Sequence, residues 1–268
     1  MMETIIRVEN LVAAYQDNVV IEDVSFEVRR GEVFVIMGGS GCGKSTLLKH
    51  MIGLHRPVSG RVLICGVDIH QATGARRTRI VRRFGVTYQS GALFGSMTLL
   101  ENVRLPLEEF SNLPADAMDL IAEMKLKLVG LSGFADYMPS QLSGGMQKRA
   151  AIARAMALDP EILFLDEPSA GLDPITSAEI DALILSLARS LGITFVIVSH
   201  ELDSIYAVAD RVIMLDRRSR GIIASGRPTD LRDDSDNPRV RQFFNREPTP
   251  RNAAPPPAQG DGPAKNLA

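Results

Sequence analysis

The apolar and polar positions along the chain define two kinds of predicted strand. The first kind alternates apolar and polar side chains, which predicts strands with one exposed face, and comprises residues 4–11, 19–28 and 61–65. The second kind is short and almost wholly apolar, as expected of strands covered on both faces, and comprises residues 84–88, 162–165, 194–198 and 212–215. Helical patterns separate the strands of the second kind. We therefore expect an α/β fold with an antiparallel β portion and a mostly parallel core sheet.

One long segment, residues 92–158, shows only helical patterns. Thr98 and Glu101 have the spacing of a capping box, and Pro114 begins a second helix whose pattern runs through Leu120, Met124 and Leu128. The segment predicts a helical subdomain inserted into a single domain over residues 4–246. Residues 247–268 hold six of the fifteen prolines and no apolar periodicity, which predicts a disordered tail.

A glycine-rich loop follows the apolar run 33–37 and leads into a helical pattern. Its sequence fits G-x-x-x-x-G-K-[ST], in which backbone N–H groups surround a phosphate chain. The lysine of the pattern reaches the β- and γ-phosphates, and the following serine binds Mg²⁺. The predicted nucleotide-binding residues are Gly38, Gly39, Ser40, Gly41, Cys42, Gly43, Lys44, Ser45 and Thr46. This loop predicts that the chain binds a nucleoside triphosphate.

A second apolar strand, residues 162–165, ends in Asp166 and Glu167. Ligands of α/β sheets bind at the carboxyl ends of the strands, so Asp166 is placed to hold Mg²⁺. Glu167 is placed to activate the water that attacks the γ-phosphate. The alternative, a strand that ends in a solvated acidic turn, is weakened by the phosphate loop elsewhere in the chain.

A second possible anion site is the segment Leu142-Ser143-Gly144-Gly145-Met146-Gln147, which precedes a helical pattern. Adjacent glycines and a serine at a helix start can surround an anion. A helix cap followed by a turn explains the same glycines equally well.

Composition limits the possible partners and compartments. The formal net charge of −2 gives no electrostatic argument for nucleic-acid binding, and two cysteines cannot form a disulfide framework, which favours a reducing compartment. We expect no signal peptide, because an acidic residue comes early and no long apolar segment follows. The longest helix-like apolar run, residues 182–188, is too short to span a bilayer. Any membrane role is therefore expected to depend on a partner.

Over residues 5–225 the chain resembles the ATP-binding-cassette (ABC) ATPases. The motifs that carry the resemblance follow the family's order: Tyr15, the phosphate loop, Gln89, the signature at 142–147, the acidic strand end, the loop at 169–173 and His200. Met146 departs from the commonest signature, which has glutamine there, although several transporter branches carry methionine. The resemblance implies the ABC-type P-loop NTPase fold, ATP hydrolysis, and ATP and Mg²⁺ as cofactors.

The resemblance also assigns roles to single residues. Tyr15 would stack on adenine, Gln89 would contact Mg²⁺ and sense the nucleotide, and His200 would contact the γ-phosphate and position the attacking water. The signature of one protomer would complete the ATP site of the other, so the implied assembly is a homodimer. The signature residues expected at the nucleotide are Ser143, Gly144, Gly145 and Gln147.

A narrower resemblance is to the ATPases of Mla/Mce-type lipid transporters. It rests on five segments: residues 89–98, 105–107, 138–141, 173–176 and 237–244. It implies the movement of phospholipids or related hydrophobic compounds across the envelope of double-membrane bacteria. The implied partners are an integral-membrane permease, a periplasmic MCE-domain lipid-binding protein and, in many such systems, a small cytosolic STAS-domain protein. The implied location is peripheral, at the cytoplasmic face of the inner membrane.

Two other functions remain open from sequence. One is the ATPase of an ABC importer for amino acids or osmolytes, which shares the core motifs. The other is a soluble, non-transport ABC ATPase, although such proteins usually carry coiled coils or two cassettes. The sequence also leaves two local features open. Phe94 and Met97 either contact a permease or pack internally. A short helix from Pro238 either packs on its own domain or bridges two protomers.

Overall fold

The structure is a computed structural model that describes residues 3–15 and 18–246. The strands are β1 Thr4–Tyr15, β2 Asn18–Arg29, β3 Val33–Gly38, β4 Ser59–Ile64, β5 Val67–Asp68, β6 Phe84–Thr87, β7 Ile162–Asp166, β8 Thr194–Val198, β9 Arg211–Asp216 and β10 Gly221–Gly226. The α-helices are α1 Lys44–Met51, α2 Gly74–Val81, α3 Leu99–Phe110, α4 Ala115–Leu128, α5 Gly144–Ala155, α6 Pro174–Leu191, α7 Leu202–Val208, α8 Pro228–Asp234 and α9 Pro238–Phe244. A 3₁₀ turn at Pro139–Gln141 precedes α5.

Two sheets form the frame of the molecule. The first has the strand order β2-β1-β4-β5, and all its neighbours pair antiparallel, as the alternating patterns predict. The second has the order β10-β9-β3-β8-β7-β6, and only its edge pair, β10 with β9, is antiparallel. The prediction of an antiparallel β portion beside a mostly parallel core sheet is confirmed.

The central strand β3 is buried on both faces. Its alternate side chains enter two separate cores, Val35 and Met37 on one side and Phe34 and Ile36 on the other. The first core also contains residues of α3 to α7, and the second contains residues of β1, β2 and α1. Because β3 is packed from both sides, the loop that follows it starts from a rigid position.

The segment between β6 and β7 is helical, as predicted. At the start of α3, the Thr98 hydroxyl accepts from the Glu101 N–H at 3.2 Å, and the Glu101 carboxylate accepts from the Thr98 N–H at 2.7 Å. The capping box is therefore confirmed.

Helix α4 is predicted correctly, but it does not bury the apolar residues that mark it in the sequence. Leu120, Met124 and Leu128 are exposed, whereas Ala122 and Leu126 are buried. The small side chain of Ala122 lies on the face that contacts α3 and α5, which allows close packing there.

The short C-terminal helix α9 packs on its own domain. Val240 and Phe244 are buried in the same core as α6 and α7, and the Phe244 ring lies 5.9 Å from the Tyr206 ring. Burial of these side chains therefore needs no second protomer. The predicted tail, residues 247–268, lies outside the described residues. None of the helices over 3–15 and 18–246 combines the length and the apolar character needed to cross a membrane.

Candidate functional site

The phosphate loop connects the end of β3 to the start of α1. Gly43 caps α1 with a left-handed φ of 101°, and Gly38 has a φ of 147°. A Cβ on Gly38 would lie 2.4 Å from the Leu215 carbonyl oxygen, so only glycine fits there. The predicted strand, glycine loop and helix are thus all present.

The side chains of the loop are held in different ways. The Lys44 ammonium donates to the Gly38 carbonyl at 2.8 Å and to the Gly39 carbonyl at 3.2 Å, which fixes it across the loop. Gly39, Ser40 and Gly41 are exposed, whereas Cys42 is buried, and burial raises the pKa of its thiol. Cys42 is therefore a packing residue of the loop rather than a reactive thiol.

Two residues 121 positions apart bring the loop and β7 together. The Ser45 hydroxyl donates to the Asp166 carboxylate at 3.2 Å. Burial raises the pKa of Asp166, and the bond from Ser45 opposes that rise. The two oxygen groups predicted to bind Mg²⁺ are therefore adjacent, in an environment where a nearby cation would stabilise the ionised carboxylate.

Glu167 and His200 are also brought together, across 33 positions. In the core sheet Asp166 pairs with Val198, so the ends of β7 and β8 lie side by side. One Glu167 carboxylate oxygen lies 2.7 Å from His200 Nδ1, and the other is buried without a hydrogen-bond partner. The Glu167 backbone has a left-handed φ of 51°, a conformation that non-glycine residues rarely adopt.

The signature segment begins α5. The Ser143 hydroxyl caps the helix by accepting from the Met146 N–H, and Gly144 and Gly145 lie against Leu172 and Thr176. Ser143 and Gly144 are exposed.

Gln147 is held by contacts within its own chain. Its side-chain amide is half-buried and donates to the carbonyls of Pro139 and Leu142 at 3.0 and 3.2 Å. One turn into α5, the residue points back at the preceding 3₁₀ turn, so it holds the start of the helix instead of facing outward with Ser143.

Two further predicted residues are Gln89 and Tyr15. Gln89 is exposed, two residues beyond the end of β6. Tyr15 ends β1, and its side chain lies outside the described part of the structure.

The sequence does not predict a role for Lys148, yet its ammonium donates to the backbone carbonyls of both Gln89 and Glu167. A lysine beside a helix start has no distinctive pattern, so only its tertiary contacts identify it.

Comparison with known proteins assigns the family. A family model described as ABC transporter matches residues 21–170. The chain belongs to the ABC transporter family. Its relatives in this family include the intermembrane phospholipid transport system ATP-binding protein MlaF of Haemophilus influenzae, 40% identical over 92% of both chains. Another is the probable ribonucleotide transport ATP-binding protein mkl of Mycobacterium leprae, 41% identical over 91% of this chain and 70% of the relative.

Solved ABC structures match most of the chain. A dimeric ATP-binding cassette in a post-hydrolysis state, bound to ADP and Pi, is 31% identical, with a TM-score of 0.75 over 83% of this chain and 98% of the cassette. The ABC transporter subunit cbiO1 of Clostridium perfringens is also 31% identical, with a TM-score of 0.79 over 87% and 92% of the two chains. This ABC chain is accordingly an ATPase with an ATP-binding fold, of a family whose cassettes dimerise and work with membrane permeases.

Proposed function

We propose that this chain is the ATP-hydrolysing subunit of a transporter that moves phospholipids or related hydrophobic compounds across a bacterial envelope. The observation that carries the proposal is the 40% identity with MlaF across 92% of both chains. The similarity extends beyond the nucleotide motifs to α3, α4 and the C-terminal helix, which carry none of the predicted nucleotide residues, and this supports a shared partner set. The subunit would act as a peripheral homodimer at the cytoplasmic face of the inner membrane.

The geometry of Glu167 supports its role as the general base. One carboxylate oxygen is bonded to His200, which fixes the orientation of the group, and the other is buried and free to accept a proton. His200 is exposed, so it can contact both Glu167 and the terminal phosphate of a bound nucleotide. In hydrolysis, a water molecule beside these two residues would bond to the γ-phosphorus while the bond from that phosphorus to the β–γ bridging oxygen breaks. The water would give its proton to the unpaired oxygen of Glu167, and ADP and phosphate would be the products.

The remaining roles follow from position. Lys44 and the backbone of the phosphate loop would hold the phosphates of ATP, with Tyr15 against adenine. Ser45 and Asp166 fit Mg²⁺, since both present hard oxygen donors and lie 3.2 Å apart. Bound Mg²⁺ would neutralise charge on the phosphates, and Gln89 would lie within reach of it.

The signature would act on the nucleotide of the partner protomer. Ser143 and Gly144 are exposed at the start of α5, beside Leu172, whereas the phosphate loop lies against the end of β9. A second copy of the chain, placed head to tail, would bring an exposed helix start to each phosphate loop. We include a permease, an MCE-domain protein and a STAS-domain protein among the proposed partners.

Reconstitution tests the enzyme and its cargo separately. The subunit, assembled with its permease and periplasmic partner in liposomes, should hydrolyse ATP and transfer a fluorescent phospholipid only when ATP is present. Glu167→Gln should bind ATP but reduce both turnover and lipid transfer by roughly a thousandfold, because it removes the proton acceptor. Glu22→Gln, an exposed change in β2, is the matched control.

The two parts of the proposal can fail independently. Near-normal turnover in Glu167→Gln would reject its role as the base. Normal ATP turnover without phospholipid transfer would reject the lipid cargo, and transfer of a ribonucleotide in the same liposomes would favour the activity named for mkl.

A further inference from the structure

The ammonium group of Lys148 joins three segments that are distant in sequence. Lys148 lies in the first turns of α5, the helix that Ser143 caps. Its Nζ donates to the backbone carbonyl of Gln89 and, at 3.2 Å, to that of Glu167. The signature helix, the loop after β6 and the acidic end of β7 therefore meet at one atom.

The bond to Glu167 acts on a strained part of the backbone. A left-handed φ is unfavourable for a non-glycine residue, so neighbouring groups must hold it. The Glu167 N–H donates to the Val198 carbonyl at 2.9 Å, and its carbonyl accepts from the Ala170 N–H at 3.2 Å as well as from Lys148. Val198 ends β8 and Ala170 lies in the turn after β7, whereas Lys148 approaches from α5.

Lys148 bonds to backbone carbonyls, which leaves the Glu167 carboxylate available to accept a proton. Among the described contacts, Lys148 donates to two carbonyls rather than to a carboxylate. Burial lowers the pKa of Lys148, and the negative charges of Glu167 and Asp166 oppose that shift. A cation bonded to the carboxylate itself would weaken it as a base, whereas one bonded to the backbone positions it without occupying it.

A second cation of α5 holds the same loop. Arg154 donates to the Gly91 carbonyl at 3.1 Å and to the Ala92 carbonyl at 2.7 Å. Gly91 and Ala92 both have left-handed φ values, 74° and 50°, which give this loop a defined, compact turn. With the Gln89 carbonyl on Lys148, α5 binds three carbonyls of this loop.

We propose that Lys148 is a positioning residue for ATP hydrolysis. It holds the Glu167 backbone in the conformation that directs the carboxylate to His200, and it fixes that backbone relative to α5 and the Gln89 loop. This inference rests on the proposed function only in taking Glu167 as the general base.

Kinetics of the full subunit, assembled with its permease, test the inference. Lys148→Met keeps the length of the side chain but removes its donors, and kcat should fall about tenfold or more, the equivalent of one charged hydrogen bond lost. KM for ATP should stay within about twofold, because Lys148 does not touch the phosphate loop. Lys148→Arg should recover most of kcat, and Lys127→Met, an exposed lysine on α4, is the control.

A double variant tests whether Lys148 acts through Glu167. In single-turnover measurements, Glu167→Gln with Lys148→Met should be no slower than Glu167→Gln alone, because the positioned group is already lost. The inference would be overturned if the rate losses of the two single variants were additive in the double variant. It would also be overturned by an unchanged kcat in Lys148→Met. A fall of kcat accompanied by lost ATP binding and a lower unfolding temperature would overturn it as well. If Lys148→Met does not fold, Lys148→Gln replaces it, because glutamine keeps a donor. Its kcat should be intermediate, and a wild-type kcat in this variant would also overturn the inference. Normal turnover in Glu167→Gln alone would instead reject the proposed base.

Discussion

At Gly85 the strand β6 packs directly against the backbone at the end of α5. A Cβ at this position would lie 2.0 Å from the Ala155 carbonyl oxygen and 2.8 Å from Leu163 Cδ2. Ordinary contacts of a Cβ begin near 3.4 Å, so Gly85→Ala requires the strand and the helix to separate by about 1.4 Å. The nearest atom belongs to the backbone and cannot rotate away as the end of a flexible side chain could.

The expected cost of Gly85→Ala follows from these distances. Overpacking of a core costs about 1–3 kcal/mol, and a clash with backbone places this site at the upper end. The smaller entropy of the unfolded alanine variant returns about 0.4–1 kcal/mol, so the free energy of unfolding should fall by roughly 2 kcal/mol. For a domain of this size the unfolding temperature should fall by about 4–8 °C.

Urea unfolding at fixed temperature measures this change directly. Gly95→Ala is the matched control, because that glycine is exposed, and a Cβ there would have open space around it. The control should change the free energy of unfolding by less than about 0.5 kcal/mol. Equal midpoints for Gly85→Ala and Gly95→Ala would refute the packing argument at the contact between β6 and α5.

Three further predictions concern pH, the C-terminal helix and the permease. Burial lowers the pKa of His50, so as pH falls below 6.5 the unfolded chain takes up the proton before the folded one does, and the free energy of unfolding should decline. His50→Phe should flatten this decline in unfolding curves measured from pH 8 to 5. An unchanged slope of stability against pH would contradict the prediction. Phe244→Ala should cost about 3 kcal/mol in unfolding of the isolated monomer, since α9 packs on its own domain; full stability at a concentration where the chain is monomeric would count against that packing. Phe94 is half exposed, so Phe94→Asp should leave the subunit folded and able to bind ATP but unable to co-purify with its permease; retained co-purification would remove Phe94 from the contact.

The parts of the site that are contiguous in sequence could be predicted from sequence alone. The phosphate loop carries its strand, its glycines and its lysine within a few residues, and the backbone geometry required there leaves no other residue type at Gly38. The capping box at Thr98 is equally local. The sequence also predicts Asp166 and Glu167, because an acidic end to an apolar strand falls at the ligand-binding edge of a parallel sheet.

The contacts between distant segments were decided only by the tertiary structure. An apolar pattern predicts that α4 is a helix, but packing against α3 and α5 selects Ala122 over Leu120 as the buried residue. The pattern at α9 fits either its own domain or a neighbour, and the position of Tyr206 supplies the surface that Phe244 covers. Lys148 is an ordinary helical lysine in sequence, and it meets Gln89 and Glu167 because the core sheet and α5 place their carbonyls around one ammonium group. Local patterns fix which elements form, whereas close packing of those elements determines which side chains meet.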